Sequence, residues 1–210
     1  MQKGTILLAV LLASGLPGCD SYSEHRLQQQ VARTVRHNPK PQHGYRLTLT
    51  LHDAPGPFQK VEGVVQYTVE NHHSCGYKAP ITKIVISSHS ELIHLPLEKV
   101  SDTEYTGIIY TDLLLDDNYY GRETCHWQLL DARTLVRATG IQKETTFITE
   151  ILYESIISQG GKTQYYWKAR YPYSNIYDPA DYGSPDPDRF IPEARNDLFS
   201  ITLMAREIAL

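Results

Sequence analysis

The chain has 210 residues, with 24 acidic and 20 basic side chains and a formal net charge of −4. This slightly acidic balance argues against nucleic acid or an anionic lipid surface as the partner, since both attract basic proteins. A chain of this length can build one sizeable hydrophobic core and is short for two, so we expect a single globular domain.

Residues 1–18 have the three-part pattern of a lipoprotein signal peptide. Lys3 supplies a positive start, residues 6–13 are apolar, and Leu16-Pro17-Gly18 precede Cys19. The apolar run is too short to cross a bilayer, which needs about 20 apolar residues. We therefore predict that the chain is exported and cleaved before Cys19, which becomes lipidated. The alternative is an ordinary cleaved signal with an incidental cysteine.

Lipidation at Cys19 predicts a periplasmic protein anchored to a membrane, because each buried CH₂ of an acyl chain contributes about 0.8 kcal/mol. Asp20 follows this cysteine and resembles the inner-membrane retention signal of enteric bacteria, so the inner membrane is favoured over the outer membrane. Removal of residues 1–18 takes away one lysine and leaves 192 residues with a net charge of −5 (19 basic, 24 acidic). That charge weakly favours a basic partner.

The two remaining cysteines, Cys75 and Cys125, are predicted to form a disulfide, because the periplasm is oxidising. Closing a loop of about 50 residues stabilises the fold by roughly 4 kcal/mol in the chain-entropy estimate. A zinc site is the alternative, since His72, His73 and His126 flank the cysteines. Their spacing is not that of a zinc motif, and adjacent histidines on a strand point to opposite faces, so no metal is predicted.

Residues 19–43 are polar and contain a break at Pro39-Lys40-Pro41. Leu27, Val31 and Val35 recur every four residues, which predicts a short helix. A flexible tether that holds the domain away from the membrane is the other interpretation of this segment.

Residues 44–210 are predicted to form one β-rich domain. Tyr45, Leu47, Leu49 and Leu51 alternate with polar residues, as a half-buried strand requires. Further strands are predicted at residues 61–69, 81–87, 104–111, 125–130, 145–152, 163–171 and 198–204. Turns rich in Gly, Pro, Asp and Asn separate these segments. The fold class is therefore all-β, a single antiparallel β-sandwich or barrel-like domain.

The sequence contains none of the G-x-S-x-G, H-E-x-x-H, P-loop or S-x-x-K patterns that carry common catalytic chemistry. Lipidation and the disulfide would also use every thiol. We therefore predict that the protein is not an enzyme and needs no cofactor.

Two segments are candidate partner-binding loops. The first, residues 112–122, combines acids, paired tyrosines and an arginine, a composition typical of protein interfaces. Its candidate residues are Asp116, Asp117, Tyr119, Tyr120 and Arg122. Equally, the tyrosines could pack onto the core while the aspartates cap the turn.

The second candidate segment, residues 177–189, has four aspartates and three prolines and is predicted to be a stiff acidic loop. Its candidate partner-binding residues are Asp181, Tyr182, Asp186 and Asp188. Calcium would suit carboxylate ligands, but the spacing is not that of an EF-hand. A solvated or partner-binding loop is the preferred interpretation.

Three short motifs carry a family resemblance that covers about residues 60–172 and the signal. They are Val69-Glu70-Asn71 with Cys75, Tyr119-Tyr120-Gly121 with Cys125-His126-Trp127, and Ala138-Thr139-Gly140 followed by Phe147. With these motifs the chain resembles small periplasmic lipoproteins of Xanthomonas-like and Stenotrophomonas-like bacteria. That family implies an immunity protein against antibacterial effectors delivered by type IV secretion.

The resemblance implies one partner, a cognate protein toxin that the lipoprotein binds and blocks in the periplasm. It supplies no catalytic residues and does not identify the contact residues. The alternative function is an envelope binding or structural lipoprotein that holds a small ligand or another envelope component.

Overall fold

The computed structural model describes Arg26 and residues 35–78, 85–87, 90–141, 143–173 and 180–209. The strands are β1 Gly44–His52, β2 Lys60–Val69, β3 Tyr77–Lys78, β4 Val85–Ser87, β5 Ser90–Leu95, β6 Glu98–Lys99, β7 Glu104–Tyr110, β8 Trp127–Arg137, β9 Thr146–Leu152, β10 Gly161–Trp167, β11 Ala180–Asp181 and β12 Leu198–Glu207. The short helices are α1 His72–Cys75, α2 Tyr153–Ile157 and α3 Pro192–Arg195, and 3₁₀ turns lie at Lys168–Arg170 and Pro187–Arg189. Across these residues, no helix has the length and apolar character needed to span a membrane.

Two five-stranded sheets form a sandwich, not a closed barrel. The first sheet has the order β10-β12-β1-β7-β6 and the second the order β11-β9-β8-β2-β5. Neighbouring strands are antiparallel, except that β11 joins β9 in parallel. Strands β3 and β4 form a separate two-stranded sheet. The expected all-β antiparallel fold is confirmed.

The core lies between the two sheets and is built by the alternation seen in the sequence. On β1, Leu47 and Leu49 are fully buried, and on β12 so are Ile201 and Leu203. An aromatic cluster connects the sheets, because the Phe147 ring makes edge contacts with its neighbours at centroid distances of 5.0–5.8 Å. Those neighbours are Phe58, Tyr166 and Phe199.

Strand β8 continues well past residue 130, where the sequence predicted its end. The alternation of its side chains breaks at that point because the strand contains a bulge. Gln66 pairs with Asp131 while Tyr67 pairs with Leu129, so Leu130 is the extra residue. Leu130 is 40% exposed, and beyond it β8 resumes a regular ladder with β2 and β9.

Other segments also differ from the expected elements. Of the predicted strand 81–87, residues 81–84 lie outside the described residues, and Val85–Ser87 is the strand β4. Residues 168–170, predicted as strand, form a 3₁₀ turn. The predicted helix at residues 27–35 falls outside the described residues except for Val35, which packs against the core.

The chain enters the domain beside the segment that follows β7. Leu115 N–H donates to the Arg36 carbonyl at 2.9 Å, and Asn38 N–H donates to the Leu113 carbonyl at 2.7 Å. The Asp112 carboxylate accepts the N–H groups of residues 42 and 43 at 2.8 and 3.1 Å. Residues 36–43, the end of the predicted tether, therefore lie along residues 112–115.

Candidate functional site

The predicted disulfide is confirmed. Cys75 and Cys125 are bonded, their Cα atoms are 5.2 Å apart, and both side chains are fully buried. Val69 is buried against the disulfide, and Tyr119, Tyr120 and Trp127 pack around it. These residues form a small second core at the end of the sandwich where the chain enters.

Asn71 fixes the backbone on both sides of this disulfide. Its Oδ1 accepts the His126 N–H at 2.9 Å, and its Nδ2 donates to the Thr124 carbonyl at 2.8 Å. Its own carbonyl accepts the Cys75 N–H at 3.0 Å. Two of the motifs that carry the family resemblance therefore meet at Asn71, and their role there is structural.

The acids of the first candidate segment hold the loop in place. The Asp116 carboxylate accepts the Trp127 N–H at 2.9 Å and lies 2.7 Å from His126 Nδ1. Asp117 pairs with Arg36 at 2.7 Å. The hydrogen bond from the Asn118 N–H, and to a lesser extent the Arg36 guanidinium, hold the pKa of the Asp117 carboxyl below its ordinary value.

The tyrosines of this segment turn towards the disulfide, as in the structural interpretation left open by the sequence. The Tyr119 hydroxyl donates to the Leu115 carbonyl at 2.5 Å, and its ring packs edge-on against Trp127 at 6.0 Å. Tyr120 is half-buried, and this burial raises the pKa of its hydroxyl to about 12. Arg122 donates to the carbonyl of residue 76 at 3.1 Å. All five candidate residues of the segment thus take part in the fold of this end.

The second candidate segment is described from residue 180 onward, and residues 174–179 lie outside the described part. Asp181 is only 7% exposed, pairs with Arg170 at 2.9 Å and accepts the Gly183 N–H at 2.9 Å. Ser184 exchanges two backbone hydrogen bonds with Tyr165 of β10, at 2.8 and 3.0 Å. Because residues 180–181 pair with β9, this segment crosses from one sheet to the other and covers their edges.

The remaining candidates of this segment face solvent. Tyr182 is 60% exposed, and the side chain of Asp188 is 85% exposed. Asp186 caps the 3₁₀ turn by accepting the Asp188 N–H at 2.9 Å. The sequence pattern did not separate buried Asp181 from its exposed neighbours, and whether this segment binds a partner remains a prediction.

The motif Ala138-Thr139-Gly140 forms a turn that a carboxylate organises. Glu144, 3% exposed, accepts the N–H groups of Thr139 and Gly140 at 2.9 and 2.8 Å and the Thr139 hydroxyl at 2.7 Å. Gly140 has a φ of +90°, a conformation that favours glycine. This motif, like Phe147 in the aromatic cluster, therefore serves the fold.

A groove on the outer face of the first sheet was not indicated by the sequence. Its floor includes Thr48 and Thr106, which are paired across β1 and β7. Its volume is about 610 Å³, and Arg46, Glu98 and Glu104 contribute charges to its lining. The only available sequence signal is the alternation of β7, which directs Thr106 and residue 108 away from the core.

Within the described ranges, no group of three or more His, Cys, Asp or Glu side chains is arranged to hold a metal ion. The described acidic residues of both candidate segments are instead engaged with backbone N–H groups, His126 or arginines, or are exposed. Comparison of the chain with protein-family profiles, curated proteins and solved structures found no match.

Proposed function

We propose that this protein is a lipid-anchored periplasmic immunity protein that binds and neutralises a cognate antibacterial toxin. A stoichiometric blocker needs a rigid scaffold and an accessible recognition surface, and it needs no catalytic residues. The lipoprotein signal and the family resemblance support the location and the partner class. The β-sandwich and its disulfide support the rigid scaffold.

The observation that carries the proposal is the exposed segment at residues 182–188, which is fixed to both sheets. Backbone bonds through Ser184 and the Asp181–Arg170 ion pair hold its start, while Tyr182 and Asp188 remain exposed. A recognition loop that is already ordered loses little conformational entropy on binding. Tyrosine is enriched among the residues that dominate interface energy, and carboxylates select a basic partner.

The position of this segment also suits an anchored protein. Asp181 pairs with Phe147 of β9, which pairs with Val136 of β8. Val136 follows Cys125 by eleven residues, most of them in β8, which is about 30 Å of strand. The segment therefore begins towards the end of the sandwich opposite the chain entry, and so away from the end at which a lipidated N-terminus would join the domain.

The test first requires a candidate toxin, and a neighbouring gene that encodes a secreted toxin would identify it. We expect the purified full-length protein to bind that toxin in calorimetry and to protect cells that express the toxin in the periplasm. Tyr182→Ala should raise Kd at least tenfold, or about 1.4 kcal/mol, if Tyr182 anchors the interface. Asp188→Lys should raise it about two- to fivefold, as for an exposed ion pair.

The matched control is Glu70→Lys, the same charge reversal at an exposed position beside the disulfide. It should bind the toxin like the unmodified protein. Absence of binding and of protection would refute the proposed function and favour the envelope-binding alternative. If only the control variant weakens binding, the toxin contact lies at the disulfide end.

A further inference from the structure

The groove on the outer face of the first sheet is formed by the hairpin β6–β7 and the adjacent strand β1. Ile108 is paired with Arg46, and Thr106 is paired with both Thr48 and Glu98. Glu98, in the short edge strand β6, lines one wall of the groove. A volume of about 610 Å³ falls within the usual range of ligand sites, about 300–1,000 Å³.

Two aliphatic side chains of the groove are exposed to solvent. Val100 is 60% exposed and Ile108 is 45% exposed, although Ile109, the next residue of β7, is buried in the core. Leu97, by contrast, packs against the core from the same hairpin. The groove therefore combines apolar surface with the threonine floor.

The charges of the groove are separated along its length. Among the described residues, neither Arg46 nor Glu98 nor Glu104 has an ion-pair partner within 4.0 Å, whereas the adjacent Lys99 is paired with Asp102 at 2.7 Å. Arg46 lies beside Ile108, four residues along β7 from Glu104, which is about 13 Å of strand. Arg46 thus lies at one end of the groove and Glu104 at the other, while Glu98, paired with Thr106, lies about halfway between them.

We propose that this groove binds an extended segment of a partner protein that carries a basic, an apolar and an acidic side chain at positions i, i+2 and i+4. Alternate side chains of a strand share one face, and four residues of strand span about 13 Å. The basic side chain would meet Glu104, with its aliphatic stem against Val100, and is long enough to reach Glu98 as well. The apolar side chain would lie over the methyl groups of Thr48 and Thr106, halfway along the groove. The acidic side chain would meet Arg46, beside Ile108. This pattern matches the charge separation of the groove.

The inference deepens the proposed function and rests on it only for the identity of the partner. In that setting the groove is a second contact surface on the toxin-binding protein, beyond the segment at residues 182–188. Complementary charges would select the register and direction of the bound segment.

The probe is the peptide acetyl-SKTVTDS-amide, and its control is acetyl-STKDVTS-amide, which has the same composition with the two charges adjacent. Each is titrated into the ¹⁵N-labelled full-length protein in detergent and followed by NMR, which detects weak binding. We expect amide shifts in β1, β6 and β7 with the first peptide and at least threefold weaker binding of the second.

Variants test the charge pairing. The double variant Glu98→Gln/Glu104→Gln should bind the first peptide about three- to fivefold more weakly, as for exposed ion pairs. Asp102→Asn, which removes a carboxylate from the same hairpin but outside the groove, should not change its affinity. Arg46→Glu should reverse the preference, so that acetyl-SKTVTKS-amide binds more tightly than acetyl-SKTVTDS-amide.

Equal binding of the two isomeric peptides, shifts outside the groove, or no effect of Glu98→Gln/Glu104→Gln would overturn this inference. These results are independent of the toxin. A protein that binds the peptide as expected but no toxin would retain the groove and lose the proposed function. A protein that binds the toxin but shows no specific peptide binding would retain the proposed function and lose the groove.

Discussion

The turn around Glu144 provides a sharp test of the structural reasoning, because one buried carboxylate accepts three hydrogen bonds. Glu144→Gln keeps the shape and an acceptor oxygen but removes the charge. Hydrogen bonds to charged groups contribute about 1.5–3 kcal/mol each and neutral ones about 0.5–1.5 kcal/mol. We therefore expect Glu144→Gln to lower the free energy of unfolding by about 2 kcal/mol at pH 7. Glu144→Ala leaves the N–H groups of Thr139 and Gly140 without this acceptor and should cost about 3–4 kcal/mol.

The effect should depend on pH in a defined direction. Burial acts to raise the pKa of Glu144, but the hydrogen bonds from Thr139 and Gly140 outweigh it and hold the pKa below its ordinary value. For a carboxyl with a lowered folded-state pKa, the stabilisation is complete above the ordinary value of about 4.3. It is lost as the pH falls through the lower folded-state pKa.

Urea denaturation at pH 7, 5, 4 and 3 measures this difference, with Glu70→Gln, at an exposed position, as the control. The gap between the unmodified protein and Glu144→Gln should remain constant from pH 7 to about 5 and narrow below about 4. A gap that stays the same down to pH 3 would refute the assigned role of the charge. A difference in unfolding free energy below about 0.5 kcal/mol at pH 7 would refute the role of the hydrogen bonds to Glu144.

Two further changes test the core and the disulfide by the same urea assay. Replacing both Cys75 and Cys125 by serine should remove about 4 kcal/mol, since the disulfide closes a loop with a sequence separation of 50; a loss under about 1 kcal/mol would contradict the loop-entropy account. Phe147→Ala should cost about 3–5 kcal/mol because the fully buried ring contacts three aromatic neighbours. Phe147→Leu should cost less, and equal losses for the two variants would argue against a cavity effect.

The long central strands could be predicted from the sequence because side-chain alternation is a local property. Tyr45 to Leu51 alternate between buried and more exposed side chains as expected, and Phe199, Ile201 and Leu203 are buried as expected, although Ser200 between them is also buried. The edge strand β5 has a weaker pattern, with only Leu95 buried, and β6 and β11 have only two residues each. Such short edge strands are determined by the neighbour they pair with, so their own sequence gives little signal.

The candidate site was predictable in part for the same reason. The disulfide followed from the number of cysteines, and of the four candidate residues in the acidic segment, Tyr182, Asp186 and Asp188 are exposed. The burial of Asp181 could not be predicted, because its partner Arg170 comes from a different part of the chain. The groove was also missed, since strand register alone brings Arg46 beside Ile108 and Glu98 beside Thr106.

The structure separates the residues that make the scaffold from those available to a partner. Asn71, Glu144 and Phe147 are constrained by hydrogen bonds and packing within the chain, so almost any substitution there lowers stability. Tyr182 and Asp188 are exposed, and the Asp188 carboxylate makes only a long ion pair of 3.9 Å with Arg195 among the described residues. Two of the three scaffold residues belong to the motifs that carry the resemblance, so that resemblance informs about the scaffold more than about the toxin. Under the proposed function, a change of toxin specificity should therefore alter the exposed segment and the groove while leaving the disulfide end and the Glu144 turn intact.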